Sequence, residues 1–426
     1  MQQRSRGSNL PVSPASVPAR SKAFIASEQA SGARNYEPLP VVLSRGEGAW
    51  VTDAEGRRIL DFMSAYSAVS FGHAHPRIVG ALVEQAQKLA VTSRAYHNDR
   101  LPQLMERLAR ITGLDRVLPS SGGAEAVETA IKAARKWGHE VKGIPDGRAE
   151  IIGCDGNFHG RTITITGLST EAQYRDGFGP FPPGLSTVPY GDADALERAI
   201  TPNTAAFLVE PVQGEAGIVV PPDGYLARCA EICRRHEVLL IVDEVQTGLG
   251  RTGYLFGCDH DGVRPDGMIL GKALGGGLLP VSAFVATDDV MQVFRPGDHG
   301  STFGGNPLAA AVAMAALDVL FDERLVERSR TLGQRLLAKV RALESPLIRD
   351  VRGRGLLVGI DIDPRFCDAK TVVLQMLERG VLSKDTHGTV VRIAPPLTID
   401  EASLDHGIER IGQALRDVER VVLEPA

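Results

Sequence analysis

Along most of the chain, apolar residues follow one of two patterns, helical spacing or short and nearly continuous runs. From residue 120 onward the two patterns alternate. The runs at 205–209, 239–242 and 281–286 are typical of strands that are buried on both faces. Because strands alternate with helices, the pattern predicts an α/β domain built on a mainly parallel sheet.

The segments before and after this domain carry their own signals. Apolar runs at 41–43, 49–51 and 58–60, separated by turn residues, predict a short strand meander. Asn306 and Pro307 suit the cap and first turn of a helix, and they predict a long helix over 309–321. Spacing predicts further helices at 78–89, 101–111, 325–343, 369–378 and 404–418, and strands at 356–362 and 390–394.

Composition excludes several classes of function. Lys+Arg 47 against Asp+Glu 52 gives a formal net charge of −5, so no nucleic-acid or membrane partner is expected. The longest apolar stretch, 308–317, is too short to span a bilayer. Five cysteines without a Cys-x-x-Cys pair favour reduced thiols and a cytoplasmic location. The arginines of the first 20 residues leave the mitochondrial matrix as an alternative.

One lysine stands where chemistry is expected. A short apolar run at 268–270 is followed by Gly271, Lys272 and then the glycines at 275–277. Burial disfavours the lysine cation and lowers its pKa, and a neutral amine can form a Schiff base with an aldehyde cofactor. A surface lysine at the start of a loop is the alternative, and other parts of a site must decide between the two.

A carboxylate and a helix start supply those parts. The buried run at 239–242 ends in Asp243, and ligands of open α/β sheets lie beyond the C-terminal ends of strands. Such a carboxylate can keep a pyridine nitrogen protonated. Gly122, Gly123 and Ala124 open a predicted helix, whose free N–H groups and macrodipole suit a phosphate. The alternative is a helix start that is capped by its own residues and binds no ligand.

Two other motifs suggest different chemistry. The segment 248–253 fits G-x-G-x-x-G, the dinucleotide signature of dehydrogenases, but no helical period follows it. His73 and His75 could be read as metal ligands. With no third ligand nearby in sequence, a packing or hydrogen-bonding role is expected for both, and no metal.

Taken together, these features resemble the class-III (ω-amino) PLP-dependent aminotransferases, from about residue 35 to the C-terminus. The family motifs lie in order along the chain, at 72–76, 122–126, 210–215, 243–248, 271–273 and 300–307. Within the class, the chain most resembles the members that act on the δ-amino group of ornithine, through the segments 35–40, 64–69, 92–96, 157–162, 176–181, 384–388 and 392–397.

The resemblance implies a fold and a domain division. The fold is α/β of fold type I, with a mainly parallel seven-stranded sheet in the large domain and a smaller α+β domain. Residues 1–21 are predicted to be a disordered tail, rich in serine and proline. Residues 22–70 are an N-terminal segment packing with the small domain, residues 71–310 the large PLP-binding domain, and residues 311–426 the small C-terminal domain.

The resemblance also assigns roles around pyridoxal 5'-phosphate (PLP). Lys272 would bind the cofactor covalently and then move the proton, and Asp243 would pair with the pyridine nitrogen. Phe158 would stack on the cofactor ring, and Gln246 would contact the ring hydroxyl. The helix start at 122–124 would bind the phosphate. Thr302 would reach the phosphate from a neighbouring subunit, which implies a homodimer or a higher oligomer. Gly122 replaces the serine or threonine of many relatives, and His159 stands at a position often aromatic in ornithine enzymes.

The implied reaction moves the δ-amino group of ornithine to 2-oxoglutarate. Tyr36 and Arg161 would hold the α-amino and α-carboxylate end of ornithine, and Tyr66 would line the pocket. Arg392 would bind the α-carboxylate of 2-oxoglutarate, and Glu215 would mask Arg392 while ornithine is present. N-acetylornithine and 4-aminobutyrate are alternative substrates in the same class, and a non-catalytic member of the fold is an alternative of another kind.

Overall fold

The computed structural model describes residues 17–423, and its first part is a helix and a small sheet. The elements are α1 (Ala19–Ser31), β1 (Leu43–Glu47), β2 (Trp50–Asp53), β3 (Arg58–Asp61) and the single turn α2 (Ser64–Ser67). β1, β2 and β3 form the antiparallel meander that the sequence predicts.

The predicted tail at 1–21 is partly outside the described residues. Within them the structure differs from the prediction, because α1 begins at Ala19. Ser21 is buried, and both its backbone N–H and its hydroxyl donate to Glu55 Oε1, at 3.0 and 2.9 Å. A carboxylate 34 residues away supplies these bonds, so the local composition could not indicate them.

The large domain contains seven strands in one sheet. They are β4 (Arg116–Ser120), β5 (Glu150–Cys154), β6 (Leu185–Val188), β7 (Thr204–Val209), β8 (Leu239–Asp243), β9 (Gly267–Leu270) and β10 (Ser282–Ala286), in the order β4-β10-β9-β8-β7-β5-β6. β10 is antiparallel to both of its neighbours, and the other pairs are parallel. The predicted fold class is confirmed.

Helices cover this sheet. They are α3 (Pro76–Lys88), α4 (Leu101–Thr112), α5 (Gly123–Glu140), α6 (Ile163–Leu168), α7 (Ala172–Arg175), α8 (Ala193–Ala199), α9 (Tyr225–Arg235) and α10 (Asp288–Met291), with 3₁₀ turns at Gly257–Asp261 and Lys272–Gly275. All residues of β7 to β10 are buried. The centre of the sheet is therefore a dry core, which explains the continuous apolar runs of the sequence.

The C-terminal part is a smaller α+β unit. Its elements are α11 (Pro307–Asp322), α12 (Leu325–Arg341), β11 (Ile348–Arg354), β12 (Leu357–Ile362), α13 (Ala369–Glu378), β13 (Val381–Leu382), β14 (Lys384–Thr386), β15 (Val390–Ile393) and α14 (Glu401–Leu423). Four of the strands form an antiparallel sheet in the order β11-β12-β15-β14. Among residues 17–423, no helix is both long enough and apolar enough to cross a bilayer.

The N-terminal meander is joined to this C-terminal unit. β13 pairs with β3 in parallel, with Val381 opposite Leu60 and Leu382 opposite Asp61. The four-stranded sheet β1-β2-β3-β13 thus contains strands more than 300 positions apart in the chain. This pairing joins the N-terminal segment to the C-terminal unit.

Candidate active site

Two residues that the sequence predicts for the site lie at the same edge of the central sheet. Asp243 is the last residue of β8, and Lys272 follows β9 by two positions. The two strands are parallel, with Asp243 opposite Ile269. Because parallel strands end at a common edge, the carboxylate and the amine are brought to one side of the sheet.

A cavity of about 200 Å³ opens at this edge. It is lined by Gly123, Ala124, Phe158, His159, Gly160, Glu210, Asp243, Val245, Gln246, Thr247 and Lys272. Six residues that the sequence predicted for a cofactor therefore line one cavity. A larger cleft of about 420 Å³ lies where β8 begins, around Leu239, away from Asp243 and Lys272.

Lys272 occupies a constrained position. Its φ is 43°, in the left-handed region, and burial is the main reason that its pKa lies below the ordinary value. Within residues 17–423 its amine has no hydrogen-bond or salt-bridge partner. A Cβ on Gly271 would lie 3.3 Å from a Val245 methyl group and 3.7 Å from Gly123 Cα, so the glycine lets the lysine's loop approach α5 closely. These features favour a reactive amine over a surface lysine.

Asp243 is held from two sides. Its Oδ1 accepts the Val245 backbone N–H at 3.0 Å, and its Oδ2 lies 2.6 Å from His159 Nδ1. The His159 side chain is fully buried. Burial lowers its pKa, but the hydrogen bond to Asp243 and the charge of that carboxylate outweigh this, and the net shift is upward. His159 thus positions the carboxylate, a role that the sequence alone did not indicate.

The start of α5 faces the cavity with free N–H groups. Gly123 and Ala124 line it, whereas Gly122 does not, and the Ser121 and Gly122 N–H groups both donate to Glu125 Oε2, at 2.7 and 3.1 Å. Gly122 was predicted to bind the cofactor, and its N–H is used within the helix start. The structure therefore leaves Gly123 and Ala124 as the N–H donors for an anion.

Close packing around the cavity depends on another glycine. A Cβ on Gly214 would lie 1.8 Å from Gln246 Oε1, so any larger residue would displace the predicted Gln246. Glu210 is buried and accepts the N–H groups of Phe158 at 2.9 Å and Gly214 at 3.3 Å. Burial raises its pKa to about 7. Glu210 belongs to a family motif in the sequence, but its function in holding Phe158 was not predicted.

A second cluster contains the predicted switch residues. Arg392 Nη1 lies 2.6 Å from Glu215 Oε1, and the ring of Tyr66 lies 4.6 Å from Arg392 Cζ. Burial raises the pKa of Tyr66 against the opposing charge of Arg392. Arg392 is buried and Glu215 is partly exposed. The guanidinium is thus paired with one carboxylate, and both charges act on the amine of Lys272.

Three other predicted residues lie in more open positions. Arg161 Cζ is 3.5 Å from the ring centroid of Tyr174 and 5.3 Å from that of Phe158. Tyr174, which the sequence analysis missed, thus connects the predicted substrate arginine to the cavity. Tyr36 is 79% exposed, and Thr302 is exposed and does not line the cavity. The single chain does not bring Thr302 to the other residues.

The motifs that suggested other chemistry have structural functions. The G-x-G-x-x-G segment opens no helix, and a Cβ on Gly253 would lie 3.0 Å from Arg330 Cα of α12. His73 Nε2 is 2.8 Å from Asp61 Oδ2, and His75 Nε2 is 3.0 Å from Glu323 Oε1. The predicted hydrogen-bonding function of the two histidines is confirmed.

Comparison with known families decides the class. The model of the family "Aminotransferase class-III" matches residues 31–415. The chain belongs to the class-III aminotransferases. An ornithine aminotransferase of Bacillus subtilis (strain 168) is 54% identical over 398 residues, which cover 93% of this chain and 98% of the relative.

Solved class-III structures share the fold. An ornithine aminotransferase from Toxoplasma gondii, described with partial occupancy of PLP at its active site, has a TM-score of 0.93 and 47% identity and covers 94% of this chain and 95% of its own. An acetylornithine aminotransferase from Elizabethkingia anophelis has a TM-score of 0.85 and 48% identity and covers 93% of this chain and 99% of its own.

The residues of this chain fit the cofactor of the class. The cavity has free N–H groups at the start of α5 for a phosphate, a buried carboxylate at Asp243 for a ring nitrogen, and an amine at Lys272 for an aldehyde. Glycine at 160 lets this segment pack closely against the start of α5, since a Cβ on Gly160 would lie 2.8 Å from Ala124 Cβ. Glu210 and Asp243 are the acidic residues of the lining, and both carboxylates already accept hydrogen bonds from the protein.

Proposed function

We propose that the protein is an ornithine δ-aminotransferase. It transfers the δ-amino group of L-ornithine to 2-oxoglutarate with PLP, and the products are glutamate-5-semialdehyde and glutamate. The observation that carries this proposal is the contact of Arg392 with Glu215 at 2.6 Å, beside Tyr66 and near enough to Lys272 for both charges to act on its amine. Similarity to several ornithine aminotransferases over nearly the whole chain supports it.

The cofactor-binding residues are those that line the cavity. PLP supplies an electrophilic carbon and an electron-accepting ring when it is bound. Lys272 would hold the cofactor, and its Nζ would be the group that moves the proton from the carbon that carries the donor amine. Asp243, held by His159, keeps the ring nitrogen protonated. Phe158, Gln246, Gly123 and Ala124 would hold the cofactor, with the aromatic ring of Phe158 for its ring, the amide of Gln246 for its hydroxyl and the two N–H groups for its phosphate.

The α-amino and α-carboxylate end of ornithine is held outside the cavity but next to it. Arg161 can bind a carboxylate with two parallel hydrogen bonds, and the Tyr36 hydroxyl can accept from an ammonium group. Arg161 lies against Phe158 and Tyr174, so a carboxylate bound there is close to the cavity. The δ-amine, at the other end of the ornithine chain, is then free to enter the cavity that Lys272 lines.

The two half-reactions need different charge at Arg392: a free cation for 2-oxoglutarate and a neutralised one for ornithine. 2-Oxoglutarate carries an α-carboxylate that Arg392 can bind, whereas ornithine carries a neutral methylene chain there. Pairing with Glu215 neutralises Arg392 while ornithine is bound, because an unpaired buried guanidinium would be costly. Release of Glu215, which is partly exposed, makes the guanidinium available to the second substrate.

The complete site requires a second copy of the chain. Thr302 is exposed in the single chain, and in the proposed homodimer it contributes to the phosphate site of the partner. A cytoplasmic location is proposed as well, because all five cysteines are unpaired thiols.

The proposed reaction is tested with a panel of amine donors. Purified protein with PLP and 2-oxoglutarate is mixed separately with ornithine, N-acetylornithine and 4-aminobutyrate, and glutamate and the cyclised semialdehyde are measured. We expect ornithine to give the highest kcat/KM. A higher value for N-acetylornithine or 4-aminobutyrate would replace the proposal with that member of the class, and no glutamate from any donor would reject it.

A further inference from the structure

Arg251 has a fully buried side chain, and no carboxylate of residues 17–423 pairs with it. Its guanidinium instead donates to three uncharged oxygens. Nη1 donates to Leu356 O at 3.0 Å and to Pro395 O at 2.6 Å, and Nη2 donates to Ser70 Oγ at 2.9 Å. Burying a cation is costly unless its donors are used. One side chain of the large domain therefore joins the N-terminal segment to two places in the small domain.

The backbone of Arg251 is bound to the small domain too. Its carbonyl accepts the Leu356 N–H at 3.1 Å and the Ser329 hydroxyl at 3.2 Å. A Cβ on Gly355 would lie 2.7 Å from the same carbonyl oxygen. Because backbone meets backbone here, the loop has little freedom to shift relative to the small domain. The backbone that carries the Arg251 guanidinium is thus fixed relative to the small domain.

The Ser70 contact supports a strained turn. All residues of α2, Ser64–Ser67, have φ between 45° and 76°. Non-glycine residues rarely adopt this left-handed region, so the surrounding contacts must maintain it. Ser70 Oγ donates to Ser67 O at 2.8 Å while it accepts from Arg251. Tyr66 lies within this turn, and its ring position depends on the conformation of the turn.

The Pro395 contact supports the other side of the same pair. Pro395 follows Arg392 by three positions, just beyond the end of β15. The Leu397 N–H donates to Ser70 O at 2.7 Å, so the chain after Arg392 also contacts the segment after Tyr66. Arg251 lies between the two segments and binds both of them.

We propose that Arg251 is a positioning residue that holds the Tyr66 turn against the Arg392 strand and thereby sets the affinity of the site for dicarboxylates. This inference rests on the proposed function, in which Arg392 binds the α-carboxylate of 2-oxoglutarate. Arg251 touches neither substrate nor cofactor. It keeps the Tyr66 ring 4.6 Å from Arg392 Cζ, beside the ion pair of Arg392 with Glu215.

The test uses Ser70→Ala, which removes one acceptor of Arg251, and Arg251→Lys, which keeps the charge but cannot reach three oxygens. Binding of glutarate, an unreactive dicarboxylate, is measured by calorimetry on the PLP-loaded enzyme. We expect about a fivefold weaker Kd for Ser70→Ala, which loses the bond from Arg251 and the bond to Ser67 O, and a larger loss for Arg251→Lys. KM should rise by a similar factor for 2-oxoglutarate and less than twofold for ornithine.

Ser329→Ala is the matched control, because Ser329 is buried and bonds the carbonyl of Arg251 rather than its guanidinium. It should lower the unfolding midpoint as Ser70→Ala does and leave glutarate binding unchanged. Equal loss of glutarate affinity in Ser329→Ala and Ser70→Ala, or unchanged affinity in Ser70→Ala, would overturn the inference. If Arg251→Lys does not fold, Ser70→Ala still decides.

Failure of the proposed function can be told apart from failure of this inference. Glutarate binding does not require turnover of ornithine. If the unaltered enzyme does not act on ornithine but Ser70→Ala still weakens glutarate binding, the positioning function of Arg251 stands and the substrate assignment falls.

Discussion

At the scale of single residues, the site is governed by where charges are paired. Asp243 is bound to His159, and Arg392 to Glu215, at 2.6 Å each. Lys272 has no such partner within the described residues. A paired carboxylate, a neutralised guanidinium and a free amine are the charge states that the proposed ornithine half-reaction needs. Substitution of each residue should therefore give a different defect.

Lys272→Ala is expected to abolish turnover. The variant lacks the amine that attaches the cofactor and moves the proton, so it should also lose the visible absorbance of covalently bound PLP. Lys88→Ala, at an exposed lysine paired with Glu84, is the control and should keep both properties. Absorbance spectra and steady-state assays check this. An active, coloured Lys272→Ala protein would contradict the assignment, as would borohydride labelling at a residue other than 272.

Glu215→Ala is expected to slow the ornithine half-reaction more than the glutamate half-reaction, by roughly tenfold. The substitution leaves Arg392 unmasked, and the free guanidinium then disfavours the uncharged part of ornithine but not a carboxylate. Single-turnover rates with each amine donor measure the effect. Glu215→Gln keeps the size of the side chain and should behave like the alanine variant. Equal losses in both half-reactions would rule out the switch.

His159 should make stability depend on pH. Asp243 outweighs burial and raises the folded-state pKa of His159 above 6.5. The stabilisation from the charged pair is therefore complete below about pH 6.5 and is lost as the pH rises through the folded-state pKa. The free energy of unfolding should exceed that of His159→Phe by about 2 kcal/mol near pH 6, and the difference should shrink by pH 9.5.

Urea denaturation across this pH range checks the prediction. His97→Phe, at an exposed histidine, is the control and should show a difference that does not change with pH. A difference between the unaltered protein and His159→Phe that grows with pH would show that the histidine is buried in its neutral form.

At the scale of elements, local sequence signals and observed boundaries agree where the signal is a periodic pattern or a cap. The helix predicted at 369–378 is α13, Ala369–Glu378. The predicted cap Asn306 accepts the Ala309 N–H at 2.8 Å at the start of α11. Short strands were missed, among them β5, β6, β13 and β14. Their few residues carry no periodicity, and their partners in the sheet decide their conformation.

Asp368→Ala tests how far a cap contributes to stability. Asp368 Oδ1 accepts the Thr371 N–H at 2.8 Å and the Thr371 hydroxyl at 2.7 Å at the start of α13. The substitution should lower the free energy of unfolding by about 1 kcal/mol and leave kcat unchanged, because α13 does not line the cavity. Asp368→Asn keeps an acceptor and should lose less. An activity loss larger than the stability loss would connect α13 to the site.

At the scale of the whole molecule, the site combines parts that lie far apart in the chain. The large domain supplies Lys272 and Asp243, the small domain Arg392, and the N-terminal segment Tyr66. The parallel pairing of β3 with β13 and the contacts of Arg251 hold the last two together. Thr302 is the exception, and the proposed dimer accounts for it.

Mixed dimers test whether Thr302 acts in the partner's site. Thr302→Glu places a negative charge against the phosphate, and Lys272→Ala removes the amine, so each homodimer should be inactive. When the two variants exchange subunits, each mixed dimer has one site with both changes and one intact site. About a quarter of all sites should then be active. No recovery, in a mixture shown by mass spectrometry to contain mixed dimers, would place Thr302 in its own subunit's site.

The sequence by itself determined the fold class, the buried central strands and the choice of Lys272 and Asp243 as candidates, because these depend on local periodicity and on motifs carried by contiguous residues. Only the tertiary structure revealed that His159 holds Asp243, that Glu210 holds Phe158 and that Arg251 joins three segments. It also showed that Gly122 uses its N–H within the helix start. These functions depend on distances between residues 52 to 181 positions apart, or on which of several donors is already occupied. The positions of residues along the chain indicate neither these distances nor which donors are occupied, because burial and close packing decide which polar groups meet.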